Sequence, residues 1–292
     1  MISSVKEKIF NHPINVSSVP QLSIFRYPGG KTWFIPYLRI WMQSLNKVPE
    51  ILYEPFAGGG IVSLTSISEN LVKKVHVNEI DPMVSAVWKT SLCSDFSWLC
   101  ERIVSFDINY SNVMEVLQSE PKNTREQSFK TILKNRCAHG GILADGGGLI
   151  KRGENGKGIS SRWYPTTLVR RIQRIYSMRS RIIFTEEDGL DILQKDLNNE
   201  SAIYFLDPPY TAGKKGKRAG RRLYRFADLD HKKLFKISSQ IKGNFLMTYD
   251  DDFEVKELAN SYSMSSALIP MKNTHNSNMI ELLISKDLNW IK

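Results

Sequence analysis

Residues 51–92 constrain the fold more than any other stretch. "ILYEPF" is a short apolar strand, "GGG" a turn, and "IVSLTSIS" opens a helix. "KKVHVNEI" is a second strand rich in β-branched residues, and "DPMVSAVWKTSL" a second helix. Asp81 before Pro82 reads as an N-cap followed by proline in the first turn, where its missing N–H costs nothing. Adjacent parallel strands need a crossover between them, and a helix supplies it, so this alternation predicts a parallel α/β sheet. The pattern lapses between about 93 and 180 and then resumes. "RIIFT", "SAIYFL" and "GNFLMTYD" read as strands, with "LDHKKLFKISSQI" as a helix between the last two. "SSALIPM" and "MIELLIS" read as a C-terminal antiparallel hairpin.

The lapse predicts an insert. Within it, "TREQSFKTILKNRC" and "TTLVRRIQRIYSMRSR" have helical spacing, the second with Leu168, Ile172 and Ile175 on one face and arginines on the other. Between them lies an aperiodic, glycine-dense segment, "HGGILADGGGLIKRGENGKGISSRWYP". A structureless loop of that length inside a compact domain usually has a functional reason. Charge sharpens this division. The chain of 292 residues carries a net +10. Residues 121–181 hold 14 Lys/Arg against Glu126, Asp145 and Glu154, and residues 211–225 hold seven and no acid. Those two stretches hold a net +18, leaving about −8 elsewhere. Segregated positive charge suits a polyphosphate backbone, because each neutralised phosphate releases counterions. The three cysteines (Cys93, Cys100, Cys137) form no CxxC pair, so neither a disulfide framework nor a zinc cluster is expected, and a reducing cytoplasm is. No apolar run approaches the roughly 20 residues that cross a bilayer, and the N-terminus lacks the apolar core of a signal peptide.

Four short motifs carry the chemistry. In "YEPFAGGG", glycines between a strand end and a helix let the backbone approach a ligand closely, in a turn tighter than a pyrophosphate cradle. "VNEID" ends the second strand in acids. With Asp81 assigned to the helix cap, Glu79 is left to grip a ribose diol, two acceptor oxygens matching two hydroxyls. "FRYPGGK" offers an aromatic face at Tyr27 and a cation at Lys31. "DPPY" is the sharpest signal. An apolar strand delivers Asp207 to the edge of the sheet, and Pro208 and Pro209 fix the backbone and remove two donors. Tyr210 adds a ring. Such an acceptor-rich slot suits a planar amine that donates two hydrogen bonds and stacks.

In this order, "FRYPGGK", "EPFAGGG", the basic insert and "DPPY" resemble the Dam-type DNA adenine-N6 methyltransferases, over about residues 24–287. The resemblance implies a Rossmann-like class I methyltransferase sheet, mostly parallel with an antiparallel C-terminal hairpin strand, plus a mainly helical target-recognition insert. The implied division is a leader at 1–19, a catalytic domain at 20–92 and 181–292, and the insert at 93–180. It also implies S-adenosyl-L-methionine as cofactor. Carried over, Tyr27, Lys31, Phe56, Gly58, Gly60 and Glu79 would bind the cofactor, Asp207 would lie beside cofactor and target amine, and Tyr210 would stack on the flipped base. "LKNRCAHGGILADG" resembles the family's Asn-Arg stretch, here Asn135-Arg136. Double-stranded DNA is the implied partner, with Arg136, Lys151, Arg152 and Arg162 in the insert and Lys214, Lys215, Lys217, Arg218, Arg221 and Arg222 beside the catalytic turn as contacts. A monomer in a bacterial or phage-infected cytoplasm is expected, with room for a partner restriction endonuclease. No metal and no membrane are called for. Departures from the family pattern, a Tyr-Pro where many relatives have Trp-Ala and a different stretch after Asn-Arg, leave the target sequence open.

Overall fold

A computed structural model of the chain describes residues 19–26, 29–144, 147–210, 226, 228–272 and 278–291. Tyr27, most of the leader, the run holding Lys214 to Arg222, and the tip of the last hairpin with His275 lie outside the described residues. Seven strands form one sheet: β1 (Ile51–Glu54), β2 (Lys74–Asn78), β3 (Ile182–Thr185), β4 (Ala202–Leu206), β5 (Asn244–Asp250), β6 (Ser265–Lys272) and β7 (Asn278–Ser285). Their order is β3-β2-β1-β4-β5-β7-β6. The first five run parallel, and β7 inserts antiparallel between β5 and β6. This is the order of the class I methyltransferase sheet, and the anticipated antiparallel hairpin supplies β6 and β7.

Helices cover both faces. Side chains on a strand alternate sides, so the all-buried β4 divides its residues between two cores. Ile203 and Phe205 join Leu52, Val75 and Val77 on one face, and Ala202, Tyr204 and Leu206 join Phe245 and Met247 on the other. A strand buried on both faces reads as a continuous apolar run rather than an alternating one, which is how "SAIYFL" reads. On the first face pack α1 (Ile35–Ser44), α2 (Ile61–Ser68) and α3 (Pro82–Leu92). On the second pack α8 (Gly189–Lys195), α9 (His231–Gln240) and α10 (Phe253–Ser261).

The insert is helical, as anticipated, and holds more helix than its spacing disclosed. Two further helices, α4 (Phe96–Ser105) and α5 (Tyr110–Gln118), precede α6 (Thr124–Cys137) and α7 (Pro165–Ser177). The glycine-dense segment is not structureless in its described residues. It is folded by short 3-10 turns and by a bridge pairing Ala138 with Leu149. Leu99, Ile103, Val113, Phe129, Leu133, Leu168 and Ile172 belong to the same continuous core as Leu52 and Val75 of the sheet. The inserted helices therefore extend the core of the catalytic sheet. Among the described residues no helix is long and apolar enough to cross a membrane.

Candidate active site at the carboxyl ends of β1 and β4

The chain runs outward from β1 through β2 to β3, then returns to place β4 on the other side of β1. This reversal opens a crevice beyond the carboxyl ends of β1 and β4, where open α/β sheets hold their ligands. "EPFAGGG" leaves β1 at that crevice and "DPPY" leaves β4 there. Both are therefore delivered to one place by topology.

The glycine turn is held from three directions. Glu54, buried at the end of β1, accepts from the backbone N–H of Ser63 in the first turn of α2 at 2.9 Å, so it caps that helix. Glu79 accepts from the N–H of Gly58 and of Asp81, each at 2.8 Å. Trp88 on α3 donates to the Gly58 carbonyl at 3.0 Å. Gly60 sits at φ +60°, and a Cβ there would meet the Trp88 ring at 2.5 Å. Only glycine fits this position. We expect Gly60→Ala to lose about 2–4 kcal/mol, from left-handed backbone strain and overpacking against the indole. Urea unfolding would measure it, and a variant as stable as the parent would contradict the packing. Asp81 caps α3 by accepting from Met83 N–H at 2.9 Å, as its sequence position indicates. Glu79 is thus the acid left facing the crevice. Backbone N–H groups of Gly58 and Asp81 hold its two oxygens, and the Ile80 N–H also bears on the carboxylate. The bare turn, the close aromatic at Phe56 and this acid fit the ribose and methionine parts of S-adenosylmethionine.

Burial raises three carboxyls here: Glu54 to about 8, Glu79 to about 7 and Glu281 to about 7. An unfolded chain would ionise them near 4.3. The folded chain therefore holds extra protons above that pH, and its stability falls as pH rises through about 7 to 8. Thermal melts of the cofactor-free protein should show a lower Tm at about pH 8.5 than at about pH 6, with a smaller difference in Glu54→Gln. A Tm that rises over that interval would contradict the burial of these acids.

Around Asp207 the contacts are dense. Its Oδ1 meets Lys31 Nζ at 2.9 Å, the Thr248 hydroxyl at 2.9 Å and the Tyr210 hydroxyl at 3.0 Å. Among the described residues these three partners all use Oδ1 and none uses Oδ2. Lys31 also meets Glu281 Oε1 at 3.2 Å and the Gly29 carbonyl at 3.1 Å, and its ammonium lies 4.9 Å from the Tyr210 ring centre. The Tyr210 ring stacks on Tyr249 at 5.6 Å, and its hydroxyl also reaches Glu281. Tyr210 is thus anchored at the hydroxyl, on the Tyr249 ring and beneath the Lys31 ammonium. Lys31 sits between two acids at the catalytic turn.

The sequence singled out neither Glu281 nor Thr248. Each is one residue in an apolar strand; the pairing of β4 with β5 brings Thr248 beside Asp207, and that of β5 with β7 brings Glu281. A lone acid inside "MIELLIS" was the available signal, since an unpaired buried charge costs several kcal/mol.

The basic candidates of the insert divide. Arg136 is 5% exposed and donates to the Ile24 carbonyl, so it is held away from any phosphate. Burial, with Arg171 and Arg26 nearby, lowers its pKa to about 9. Its place as a DNA contact is corrected accordingly: it pins the segment leading to Lys31. Asn135 does the same from both ends, accepting from Arg26 N–H at 2.9 Å and donating to the Arg26 carbonyl at 3.0 Å and the Gly141 carbonyl at 2.7 Å. Lys151 and Arg152 are exposed, and Arg162 is half-buried. A cleft of about 710 Å³ opens in the insert between Tyr110, Met114, Leu149 and Lys151, away from the Asp207 site.

Neither a family model nor a curated protein matches the sequence. Among solved structures the chain is similar to the rRNA methyltransferase aviRa from Streptomyces viridochromogenes, at 11% identity over 94% of each chain with a TM-score of 0.42. It is also similar to an rRNA methylase from Streptococcus thermophilus, at 10% identity over 87% of this chain and 97% of that one, TM-score 0.37. A third is a precorrin-6y C5,15-methyltransferase from Geobacter metallireducens, at 7% identity over 86% of both, TM-score 0.36. At this level the likenesses add nothing to what the strand order says: the chain has a class I methyltransferase fold.

Proposed function

We propose that this chain is an S-adenosylmethionine-dependent DNA methyltransferase acting on N6 of adenine in a duplex. The observation that carries the reading is Asp207 just beyond the carboxyl end of β4, next to the strand that leads into the glycine turn, with Lys31, Tyr210 and Thr248 all on its Oδ1 and, among the described residues, no partner on its Oδ2. When bound, the cofactor supplies a sulfonium methyl whose loss leaves a neutral thioether. The chain supplies orientation and charge. Asp207 Oδ2 and the Pro208 carbonyl accept the two N6 hydrogens. With both held, the nitrogen lone pair is drawn out of conjugation with the purine and aimed away from its acceptors. Asp207 takes the proton that N6 sheds. A base inside a duplex cannot reach such a slot, so it is flipped out and covered by Tyr210. Lys151, Arg152, Arg162 and the basic run from Lys214 to Arg222 would position the phosphates.

Purified protein with methyl-labelled S-adenosylmethionine should label duplex DNA and yield N6-methyladenine on nucleoside mass spectrometry. Label in cytosine, in RNA alone or in a protein amine would replace the substrate and keep the reaction. No cofactor binding at all would leave a nucleic-acid-binding protein on a methyltransferase scaffold.

A further inference from the structure

Glu281 lies on β7, across from Asp250 on β5 and Ile269 on β6, with its carboxyl 3% exposed. Its Oε1 meets Lys31 and the Tyr210 hydroxyl, while Oε2 has no hydrogen-bond partner. The Tyr210 hydroxyl touches two acids, Asp207 and Glu281, and owns one proton. Both contacts are hydrogen bonds only if one of the acids carries a proton of its own. Asp207 Oδ1 already accepts from the Lys31 ammonium and meets the Thr248 hydroxyl, and its side chain is 22% exposed. Glu281 is the more deeply buried of the two, so a charge there is the harder one to keep. A proton on Oε2 would find no acceptor, whereas one on Oε1 points at Tyr210.

We propose that Glu281 is a positioning residue for methyl transfer. As the neutral acid it donates to Tyr210, Tyr210 donates to Asp207 Oδ1, and Asp207 Oδ2 is left to take the substrate amine. The inference rests on the methyltransferase reading above and deepens it. Glu281 makes and breaks no bond to carbon; its part is to hold one proton in the chain from Oε1 through the phenol oxygen to Oδ1. When Glu281 ionises, its proton passes to solvent, the Tyr210 hydroxyl turns its hydrogen from Asp207 to Glu281, and the Lys31 ammonium, 3.2 Å away, is drawn from Asp207. Both changes loosen the acceptor. Among the described residues the charged and titratable groups around Glu281 are Lys31 from the segment before α1, Asp207 and Tyr210 after β4, and Asp250 on β5, while β6 places Ile269 opposite it. Burial already favours its neutral form near pH 7.

The test compares the parent, Glu281→Gln and Tyr210→Phe. In the parent, kcat should fall as pH rises past about 7, with cofactor affinity little changed. Glu281→Gln, a neutral isostere, should retain most of the activity at about pH 6 and lose the high-pH fall. Tyr210→Phe, which cuts the chain but keeps the ring, should lose the same fall. Glu281→Ala should drop kcat about 100-fold through misplacement of Asp207. Infrared difference spectra of parent against Glu281→Gln should show a protonated-acid carbonyl stretch at about pH 6 that disappears above about pH 8. That spectrum needs no turnover, so it reports on Glu281 even if the protein methylates no DNA. Absence of the stretch, or an unchanged high-pH fall in both variants, would overturn the assignment.

Discussion

Asp207→Ala should abolish methyl transfer while leaving DNA and S-adenosylmethionine binding nearly intact. A hydrogen bond to a charged acceptor is worth about 1.5–3 kcal/mol, which alone predicts a loss of roughly 10- to 150-fold. The remainder comes from orientation, since an amine held by one acceptor instead of two no longer presents its lone pair in line. We therefore expect kcat to fall at least about 10³-fold with little change in KM, the pattern of an interaction made chiefly in the transition state. The variant should fold, because Lys31 keeps Glu281 and the Gly29 carbonyl as partners once Asp207 is gone. Single-turnover assays with labelled cofactor, paired with equilibrium binding to duplex DNA, measure the two halves of the claim. Turnover near that of the parent would remove Asp207 from the chemistry and with it the proposed reaction.

The second large effect is expected far along the chain, at Asn135. Its side chain, 1% exposed, uses its carbonyl and amide on the backbone of Arg26 and Gly141. Alanine would strand a buried N–H and two carbonyls at a cost of about 3 kcal/mol or more, at the low end of about 1–3 for each such group. For a chain of this size that is roughly 5–15 °C in Tm. Asn135→Asp should be worse, because it sets a carboxylate oxygen against the two carbonyls. The segment pinned there leads directly to Lys31, so activity should drop even at temperatures where the variant is folded. Calorimetry and assays well below Tm separate the two effects. A variant with parental Tm and parental kcat would show that this clamp is dispensable.

Local pattern carried much of the fold. "IVSLTSIS" and "TREQSFKTILKNRC" coincide with α2 and α6, and every strand read from its apolar run is present. Such elements are legible because burial on a fixed face repeats every 3.6 or 2 residues. The helix α4 was equally legible in principle, with Phe96, Leu99, Cys100 and Ile103 at helical spacing, but its short flanking turns gave no strand to frame it. Asp207, Glu79 and the glycine turn were readable because strand ends and turns mark themselves. Glu54, Thr248 and Glu281 were not. Glu54 acts locally, on the Ser63 N–H nine residues on, whereas Thr248 and Glu281 depend on which strand lies beside which, and the insertion of β7 between β5 and β6 is a tertiary fact that no window of sequence contains. Arg136 shows the opposite error. Positive charge in a basic stretch looks available until packing shows that its guanidinium is spent on a backbone carbonyl.

The common core of inserted helices and sheet also bears on how such a protein could change. Leu133 and Leu168 rest on the same apolar mass as Leu52 and Val75, so this region cannot be exchanged as a cassette. Transplanting residues 93–180 from a relative would cut through packed side chains on both sides of the seam. On the function proposed above, a new target preference would have to be reached by exchanging exposed residues such as Lys151 and Arg152 while the buried half stays as it is. Divergence in this chain should accordingly be a matter of surface edits, slow and additive, rather than of module shuffling.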